Sequence, residues 1–197
     1  MATATQINDF IKTLGALARS ETNRRASSGL EFILPSVCIA QACLETGYGD
    51  SGLMTKANAY FGIKAGGSWT GKVYSSYTGE VYGGVNVTTY ATFRAYDSKQ
   101  ESVEDYYNLI CNSSRYKDAV STVSNVLTPY ETIYEIWSGG YATDPSYVTK
   151  IMNIIKARNL TIYDDYQSAE FDDSTIIDSE ELDVDRSSDI YSFVRIE

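Results

Sequence analysis

The segment that decides the fold reads Pro35-Ser36-Val37-Cys38-Ile39-Ala40-Gln41-Ala42-Cys43-Leu44-Glu45-Thr46-Gly47-Tyr48-Gly49. Its apolar side chains fall on nearly every face of a helix, which is typical of a helix buried inside a domain. Pro35 is favoured in the first turn of a helix, and Gly47 is a natural stop. We therefore expect a helix from Pro35 to about Glu45 that the rest of the chain surrounds.

Glu45 falls in the last turn of this predicted helix, directed towards whatever cleft lies beyond it. The negative end of the helix dipole disfavours an ionised carboxylate, which raises the pKa of the carboxyl group. A carboxylic acid that stays protonated near neutral pH is what glycoside hydrolysis needs as its general acid. A single glutamate in a last turn is more often a surface residue, so this assignment depends on the rest of the sequence.

The segments around this helix alternate between helical and extended patterns. We expect an amphipathic helix over 4–20, capped by Asn8 or Thr5, and a solvated loop over 21–30. β-Branched and aromatic residues between Trp69 and Tyr96, interrupted by glycines, predict a β-hairpin or a three-stranded lobe. Further helices are predicted over 51–56, 98–111 (opened by a capping box of Ser98 and Glu101), 116–123, 129–137 and 145–158.

This order predicts an α+β fold, mainly helical, with a small β-hairpin lobe flanking a cleft. Glu45 would enter the cleft from the helical side and Glu80 from the β side. Two carboxylates that flank a groove are the minimum equipment for cleaving a glycosidic bond. Taken alone, Glu80 reads as a solvated strand residue. Trp69 and several of the 17 tyrosines can stack on sugar rings, with core packing as the alternative.

Composition separates one domain from an acidic tail. The 197 residues, 43% of them hydrophobic, suffice for one globular domain. Residues 1–163 carry 14 basic and 14 acidic residues, whereas residues 164–197 carry 2 basic and 12 acidic ones. We therefore predict a catalytic domain over 1–163 and an acidic linker or tail over 164–197, whose strand-like end suggests a further module. The acidic excess argues against nucleic acid as a partner.

Missing residue types narrow the chemistry further. The chain has no histidine, which excludes Ser-His-Asp triads, Cys-His proteases and most zinc hydrolases, so we expect no metal and no cofactor. Cys38 and Cys43, five residues apart in one predicted helix, are spaced poorly for a disulfide, and the three cysteines (Cys111 is the third) are expected as buried free thiols. We expect a monomer without a membrane span. The N-terminus lacks a secretory pattern, so we expect a phage-released enzyme, a tail-borne enzyme or a domain of a larger exported protein.

Six motifs, in order, together resemble family 73 of the glycoside hydrolases, the endo-β-N-acetylglucosaminidases of bacterial cell-wall turnover. They are the opening segment 35–49, Ala57-Asn58-Ala59-Tyr60-Phe61-Gly62-Ile63-Lys64, Trp69-Thr70-Gly71, Tyr77-Thr78-Gly79-Glu80, Phe93-Arg94-Ala95-Tyr96-Asp97-Ser98 and Gly140-Tyr141-Ala142-Thr143-Asp144-Pro145-Ser146-Tyr147. The resemblance covers roughly residues 4–163 and implies a lysozyme-like α+β fold. It also implies cleavage of the β-1,4 bond from N-acetylglucosamine to N-acetylmuramic acid in peptidoglycan.

The resemblance also assigns roles to single residues. The family's general acid corresponds to Glu45, its second glutamate on the hairpin to Glu80, and its active-site tyrosine to Tyr141. Ala59 stands where relatives often carry a second asparagine. Substrate contacts are expected from the neighbouring motif residues Asn58, Tyr60, Phe61, Trp69, Tyr48 and Asp144.

Several alternatives stay open. A lytic transglycosylase of the same fold, which uses one glutamate, is the nearest of them, and a non-catalytic peptidoglycan-binding module belongs to another class. If the two carboxyl groups lie about 6.5–9.5 Å apart, a water activated by Glu80 and inversion at the sugar are expected. If they lie farther apart, the hairpin closes on the substrate, or the substrate's 2-acetamido group acts as the nucleophile.

Overall fold

The computed structural model describes residues 2–82 and 85–167, with only the backbone described for 78–82 and 85–87. Its elements are α1 (Ala4–Ser27), α2 (Pro35–Thr46), α3 (Gly52–Ala57), β1 (Val73–Tyr82), β2 (Val85–Arg94), α4 (Lys99–Asn112), α5 (Pro129–Ser138) and α6 (Tyr147–Ala157). Two short 3-10 helices span Ser114–Tyr116 and Leu160–Asp164. Most of the acidic tail predicted over 164–197, including its strand-like end, lies outside the described residues.

The buried helix predicted from the opening segment is α2, and it lies at the centre of the fold. Every α2 residue except Leu44 is buried. Gly47 ends the helix in the left-handed conformation (φ 58°, ψ 44°), as predicted. The helix packs against α1, α5, α6 and the second 3-10 helix, so these elements form a shell around it.

The first helix is seven residues longer than predicted, and its cap differs. Thr3, not Asn8 or Thr5, caps α1 in a reciprocal capping box with Gln6. The loop expected over 21–30 is wrong for residues 21–27, which continue the helix, and right for residues 28–30, which lie beyond its end. Two charged residues of the helical part have partners inside the protein. Glu21 is 1% exposed and Arg25 is 4% exposed. Arg25 donates to the carbonyl of Glu31 at 2.7 Å and lies 3.4 Å from the Glu21 carboxylate, so burial of this charged pair continues the helix.

The β lobe is a two-stranded antiparallel hairpin, the first of the two forms predicted. Strand β1 pairs with β2 in a register that places Val73 opposite Arg94 and Glu80 opposite Val87. Its base has a small core of its own around Leu53 and Phe93, with Trp69 packed against it. This core fixes the hairpin against α3.

Three of the four later helices are confirmed, with boundary shifts. Ser98 caps α4 by accepting from the Glu101 amide, although the Glu101 side chain accepts from Asp97 rather than Ser98. The helix predicted over 116–123 is wrong. Ser121 there pairs with Phe32 as an isolated antiparallel bridge, with N···O distances of 2.7 and 2.9 Å. This bridge competes with helical hydrogen bonds and ties the segment to the loop before α2.

The packed unit continues past the predicted domain boundary at residue 163. Asp164 accepts from the backbone N–H of Ser36 at 2.8 Å, and the ring of Tyr166 packs edge-on against Phe32, with centroids 5.2 Å apart. The division at 163 stays a prediction, but ordered packing reaches at least Tyr166. Across the described ranges, no helix combines the length and the apolar character needed to span a bilayer.

The close approach of α1 to the second 3-10 helix generates a stability prediction. A Cβ at Gly15 would overlap the ring of Tyr163, which is 1% exposed and confined. Gly15→Ala should therefore destabilise the fold by about 1–3 kcal/mol, although alanine normally stabilises a helix by about 0.5–1 kcal/mol relative to glycine. Urea unfolding would measure the change.

Gly67→Ala is the matched control, since a methyl group there meets nothing within 4 Å among the described residues. It should change the free energy of unfolding by less than about 0.5 kcal/mol. Equal stability of Gly15→Ala and the wild type would contradict the packing described here.

Candidate active site

Glu45 occupies the last turn of α2, as predicted, but it is enclosed rather than exposed. The residue is 3% exposed. Thr46 donates to the Ala42 carbonyl and accepts from the Gly49 amide, which fixes the tight turn that follows Glu45. Burial raises the pKa of the Glu45 carboxyl to about 8, against a smaller opposing effect of its hydrogen bond with Tyr147. The pKa of Glu45 is therefore raised, as predicted, but desolvation rather than the helix dipole is the largest cause.

The partner of Glu45 is Tyr147, the first residue of α6. Its hydroxyl lies 3.2 Å from Glu45 Oε1. Gln41, one turn before Glu45 on α2, donates from Nε2 to the Tyr147 hydroxyl at 3.0 Å. The Tyr106 hydroxyl from α4 donates to Gln41 Oε1. Three helices thus contribute to one hydrogen-bonded line that ends on the carboxyl group.

Sequence reasoning did not single out Tyr147, Gln41 or Tyr106. Two signals were available: Gln41 lies four residues before Glu45 and so shares its helix face, and Tyr147 ends the motif that contains Tyr141. Tyr106 carried no signal, because its contact with Gln41 joins residues 65 positions apart.

Tyr141 lies near Glu45 but is not its hydrogen-bond donor in this structure. It is fully buried, and its ring packs between those of Tyr106, Tyr116 and Tyr147, with centroid distances of 6.0–6.4 Å. Burial raises the pKa of its phenol well above the usual range, and the proximity of Glu45 adds to this. The catalytic role predicted for Tyr141 stays a prediction, as does its use in binding the reacting sugar.

Glu80, the second predicted carboxylate, lies in β1 two residues from the end of the strand. Its backbone pairs with Val87 of β2, which confirms its place on the hairpin. Its side chain lies outside the described residues, so its role as base or charge stabiliser remains a prediction.

Asn58 and Asp144 have structural partners that account for their positions. Asn58 ends α3 with a positive φ of 50°, and its amide donates to the carbonyls of Tyr96 and Asp97. Asp144 accepts from the Ser146 amide at 2.8 Å and pairs with Lys150 at 2.9 Å, where it fixes the start of α6. Both residues thus hold the local backbone in place, and their contacts with substrate stay predictions.

The aromatic residues predicted to contact sugar differ in how deeply they are buried. Tyr60 and Phe61 are 0% and 1% exposed, and Phe61 stacks on Tyr106 with centroids 3.9 Å apart. Tyr48 and Tyr60 line a cavity of about 280 Å³ beside the first turns of α1. Trp69 is half-buried at the hairpin base, with its ring 4.6 Å from the Arg94 guanidinium. Their roles in sugar binding likewise stay predictions.

The three cysteines are free thiols, and the described residues form no cluster of metal ligands. Cys38 and Cys43 are buried and Cys111 is half-buried, all as free thiols, and burial raises the pKa of each. Within residues 2–82 and 85–167, no three carboxylate or thiol side chains cluster in a way that would hold a metal ion.

Comparison with known proteins supplies an independent line of evidence. The glucosaminidase family, described as mannosyl-glycoprotein endo-beta-N-acetylglucosaminidase, matches residues 23–160. The chain is 36% identical to the peptidoglycan hydrolase FlgJ of Pseudomonas aeruginosa over 160 residues, covering 79% of this chain and 37% of that protein. It is 37% identical to the exo-glucosaminidase LytG of Bacillus subtilis over 134 residues, covering 68% of this chain and 47% of LytG.

Solved structures agree with these relatives. The catalytic domain of the autolysin Auto from Listeria monocytogenes superposes with a TM-score of 0.66 at 33% identity, covering 83% of this chain and 90% of that one. A mutant peptidoglycan hydrolase from Sphingomonas sp. A1 superposes with a TM-score of 0.66 at 32% identity, covering 79% and 97%. The fold is thus the lysozyme-like one of these hydrolases, and the chain spans less than half the length of the two curated relatives above.

The burial of Glu45 predicts an unusual pH dependence of stability. The pKa rises from 4.5 to about 8 on folding, so between these values the folded state holds a proton that the unfolded state has lost. The free energy of unfolding should therefore fall as the pH rises from about 4.5 to 8, by at most about 5 kcal/mol. Glu45→Gln should remove the part of the fall that Glu45 causes and be more stable than the wild type at pH 8. It should keep the smaller fall between about pH 4 and 6 that the buried Asp164 produces, because the pKa of that carboxyl is raised to about 6.

Urea unfolding at several pH values would measure the effect. Asp118→Asn, at an exposed acid, is the control and should keep the wild-type dependence. A pH dependence of Glu45→Gln identical to that of the wild type would show that Glu45 titrates normally.

Proposed function

We propose, since the chain belongs to the glucosaminidase family of glycoside hydrolases, that it hydrolyses the β-1,4 bond between N-acetylglucosamine and N-acetylmuramic acid in peptidoglycan. The observation that carries the proposal is the enclosed Glu45 carboxyl, whose burial raises its pKa to about 8. An acid with that pKa is protonated at neutral pH and can donate to a leaving group. The names of FlgJ and LytG support the choice of peptidoglycan and of glucosaminidase chemistry.

In the proposed reaction, Glu45 gives its proton to the glycosidic oxygen while the bond from C1 of N-acetylglucosamine to that oxygen breaks. The electron pair of the broken bond goes to the oxygen, which becomes the hydroxyl of the leaving N-acetylmuramic acid. A water molecule supplies the new hydroxyl at C1, and its proton goes to a base on the opposite face, for which Glu80 is the candidate. Inversion is expected if that water attacks directly, and retention if the 2-acetamido group attacks first.

The mode of cleavage is proposed as endo, following the resemblance found in the sequence. LytG, by contrast, is named as an exo-glucosaminidase, so the mode needs a test of its own. The two modes give different products: internal cuts shorten glycan strands rapidly, whereas terminal cuts release small saccharides from the start. We propose that the enzyme acts at the bacterial cell wall as a monomer, with residues 1–163 as its catalytic domain.

Substitution of the two glutamates tests the proposal. Glu45→Gln should reduce hydrolysis of purified peptidoglycan by about 10²–10⁴-fold, because a positioned acid contributes that much to proton transfer. Glu80→Gln should reduce it strongly but less completely. Activity would be measured by release of soluble fragments and by zymogram, with folding of each variant checked by circular dichroism.

The products identify the bond. After borohydride reduction, mass spectrometry should find N-acetylglucosaminitol at the new ends of the fragments. Anhydro-muramic ends would instead indicate a lytic transglycosylase, and binding without any release would indicate a non-catalytic module. Full activity of Glu45→Gln would refute the assignment of the acid.

A further inference from the structure

Three side chains form a line of hydrogen bonds that ends on Glu45, and each group in the line donates to the next one towards the carboxyl. The Tyr106 hydroxyl donates to Gln41 Oε1, Gln41 Nε2 donates to the Tyr147 hydroxyl at 3.0 Å, and the Tyr147 hydroxyl lies 3.2 Å from Glu45 Oε1. We propose that this relay positions the Glu45 carboxyl so that Oε2 carries the proton given to the glycosidic oxygen. The inference rests on the proposed function and makes Tyr106, Gln41 and Tyr147 positioning residues for the acid.

The donor and acceptor properties of the groups set the direction of the relay. An amide nitrogen only donates, so the Tyr147 oxygen accepts from Gln41 and the Tyr147 hydrogen is left to point at Glu45 Oε1. If the oxygen and nitrogen of the Gln41 amide were exchanged, the Tyr106 hydroxyl would lie against the amide nitrogen. The Tyr106 hydrogen would then have no acceptor among the described residues. All three positioning residues are 0% exposed, where unpaired donors are costly.

The other oxygen of the carboxyl completes the argument. Glu45 Oε2 is buried and has no hydrogen-bond partner within the described part of the chain. A protonated carboxyl carries one O–H donor, and Oε1 already accepts from Tyr147, so the donor lies on Oε2. In the structure Oε2 is enclosed, so the proposal requires that substrate binding opens access to it; a glycosidic oxygen that then reaches Oε2 supplies the acceptor that this donor otherwise lacks. Every donor of the relay is then paired when the substrate is in place.

The relay also acts after the proton has left. When Oε2 gives its proton to the glycosidic oxygen, Glu45 becomes a carboxylate in an enclosed site. Tyr147 still donates to Oε1, and a hydrogen bond to the charged form favours that form. Tyr147 thus opposes the effect of burial on the pKa of Glu45, which keeps the acid strong enough to transfer its proton.

The tyrosines that face Glu45 among the described residues have pKa values raised away from neutral pH. Tyr141, from the loop before α6, and Tyr147, from α6, have pKa values raised far above neutrality by burial and by Glu45 itself. Burial also raises the pKa of Tyr106 on α4. Arg158, after the end of α6, lies over the Tyr48 ring at 5.5 Å. The Glu80 side chain, on the hairpin, is outside the described residues.

The test is the pH profile of kcat/KM on soluble peptidoglycan fragments for Tyr147→Phe, Gln41→Met and Tyr106→Phe. Tyr147→Phe should move the basic limb to higher pH by about 1 unit, since it removes a hydrogen bond to the charged form. It should also lower kcat by about 3- to 10-fold, because a weaker acid transfers its proton less readily. Gln41→Met should shift the limb in the same direction by less, and Tyr106→Phe by least.

Tyr107→Phe is the matched control. Tyr107 is a buried tyrosine beside Tyr106 on α4, and its hydroxyl bonds to Thr22 and to the Ala18 carbonyl instead of to the relay. Tyr107→Phe should lower the free energy of unfolding without moving the basic limb. A merely structural role for Tyr147 predicts the same behaviour in Tyr147→Phe.

If Tyr147→Phe folds and the basic limb of its kcat/KM profile lies at the same pH as in the wild type, or at a lower pH, the relay is overturned. If that variant fails to fold, the limb shift of Gln41→Met decides, and its absence there also overturns the inference. If the wild type shows no hydrolysis, the proposed function fails while the relay remains testable by unfolding. If the relay is present, the free energy of unfolding of Tyr147→Phe should go on falling up to a higher pH than that of the wild type. Equal pH dependences of the two proteins would overturn the inference.

Discussion

Burial of α2 on all sides is the constraint on which the rest of the structure depends. A helix enclosed in this way has no solvent to satisfy its polar side chains, so each needs a partner from the shell around it. Gln41 and Glu45 lie one turn apart on this helix, and both are buried. Their partners come from α4 and α6, which fixes how these two helices pack against α2. The same contacts therefore pack the core and build the candidate site.

The two ends of α2 handle buried carboxyl groups differently. At the N-terminal end, Asp164 accepts from the Ser36 amide, and burial raises the pKa of its carboxyl to about 6 against the effect of that bond. The positive end of the helix dipole favours a carboxylate there. At the C-terminal end, Glu45 has one phenol donor and no such help, and its pKa rises to about 8. The same helix thus favours a structural carboxylate at one end and a protonated acid at the other.

The extent to which the sequence predicted this structure differs from element to element. The bounds of α2 and the place of Glu45 were predictable, because the apolar pattern, Pro35 and Gly47 are local signals. The continuation of α1 to Ser27 was not, since Glu21 and Arg25 look like surface residues until long-range packing pairs them. The bridge between Phe32 and Ser121 and the line from Tyr106 to Glu45 share this non-local origin. Motif order located the residues around Glu45, whereas only the folded chain shows Tyr147 as its donor.

The central claim is that Glu45 is a buried acid that holds its proton at neutral pH. Titration of its side-chain carboxyl by ¹³C NMR tests this most directly, with Glu45→Gln identifying the signal. The expected midpoint lies near pH 8, well above the ordinary value of 4.5. A midpoint near 4.5 would mean that Glu45 is ionised at neutral pH, and it would contradict its role as the general acid.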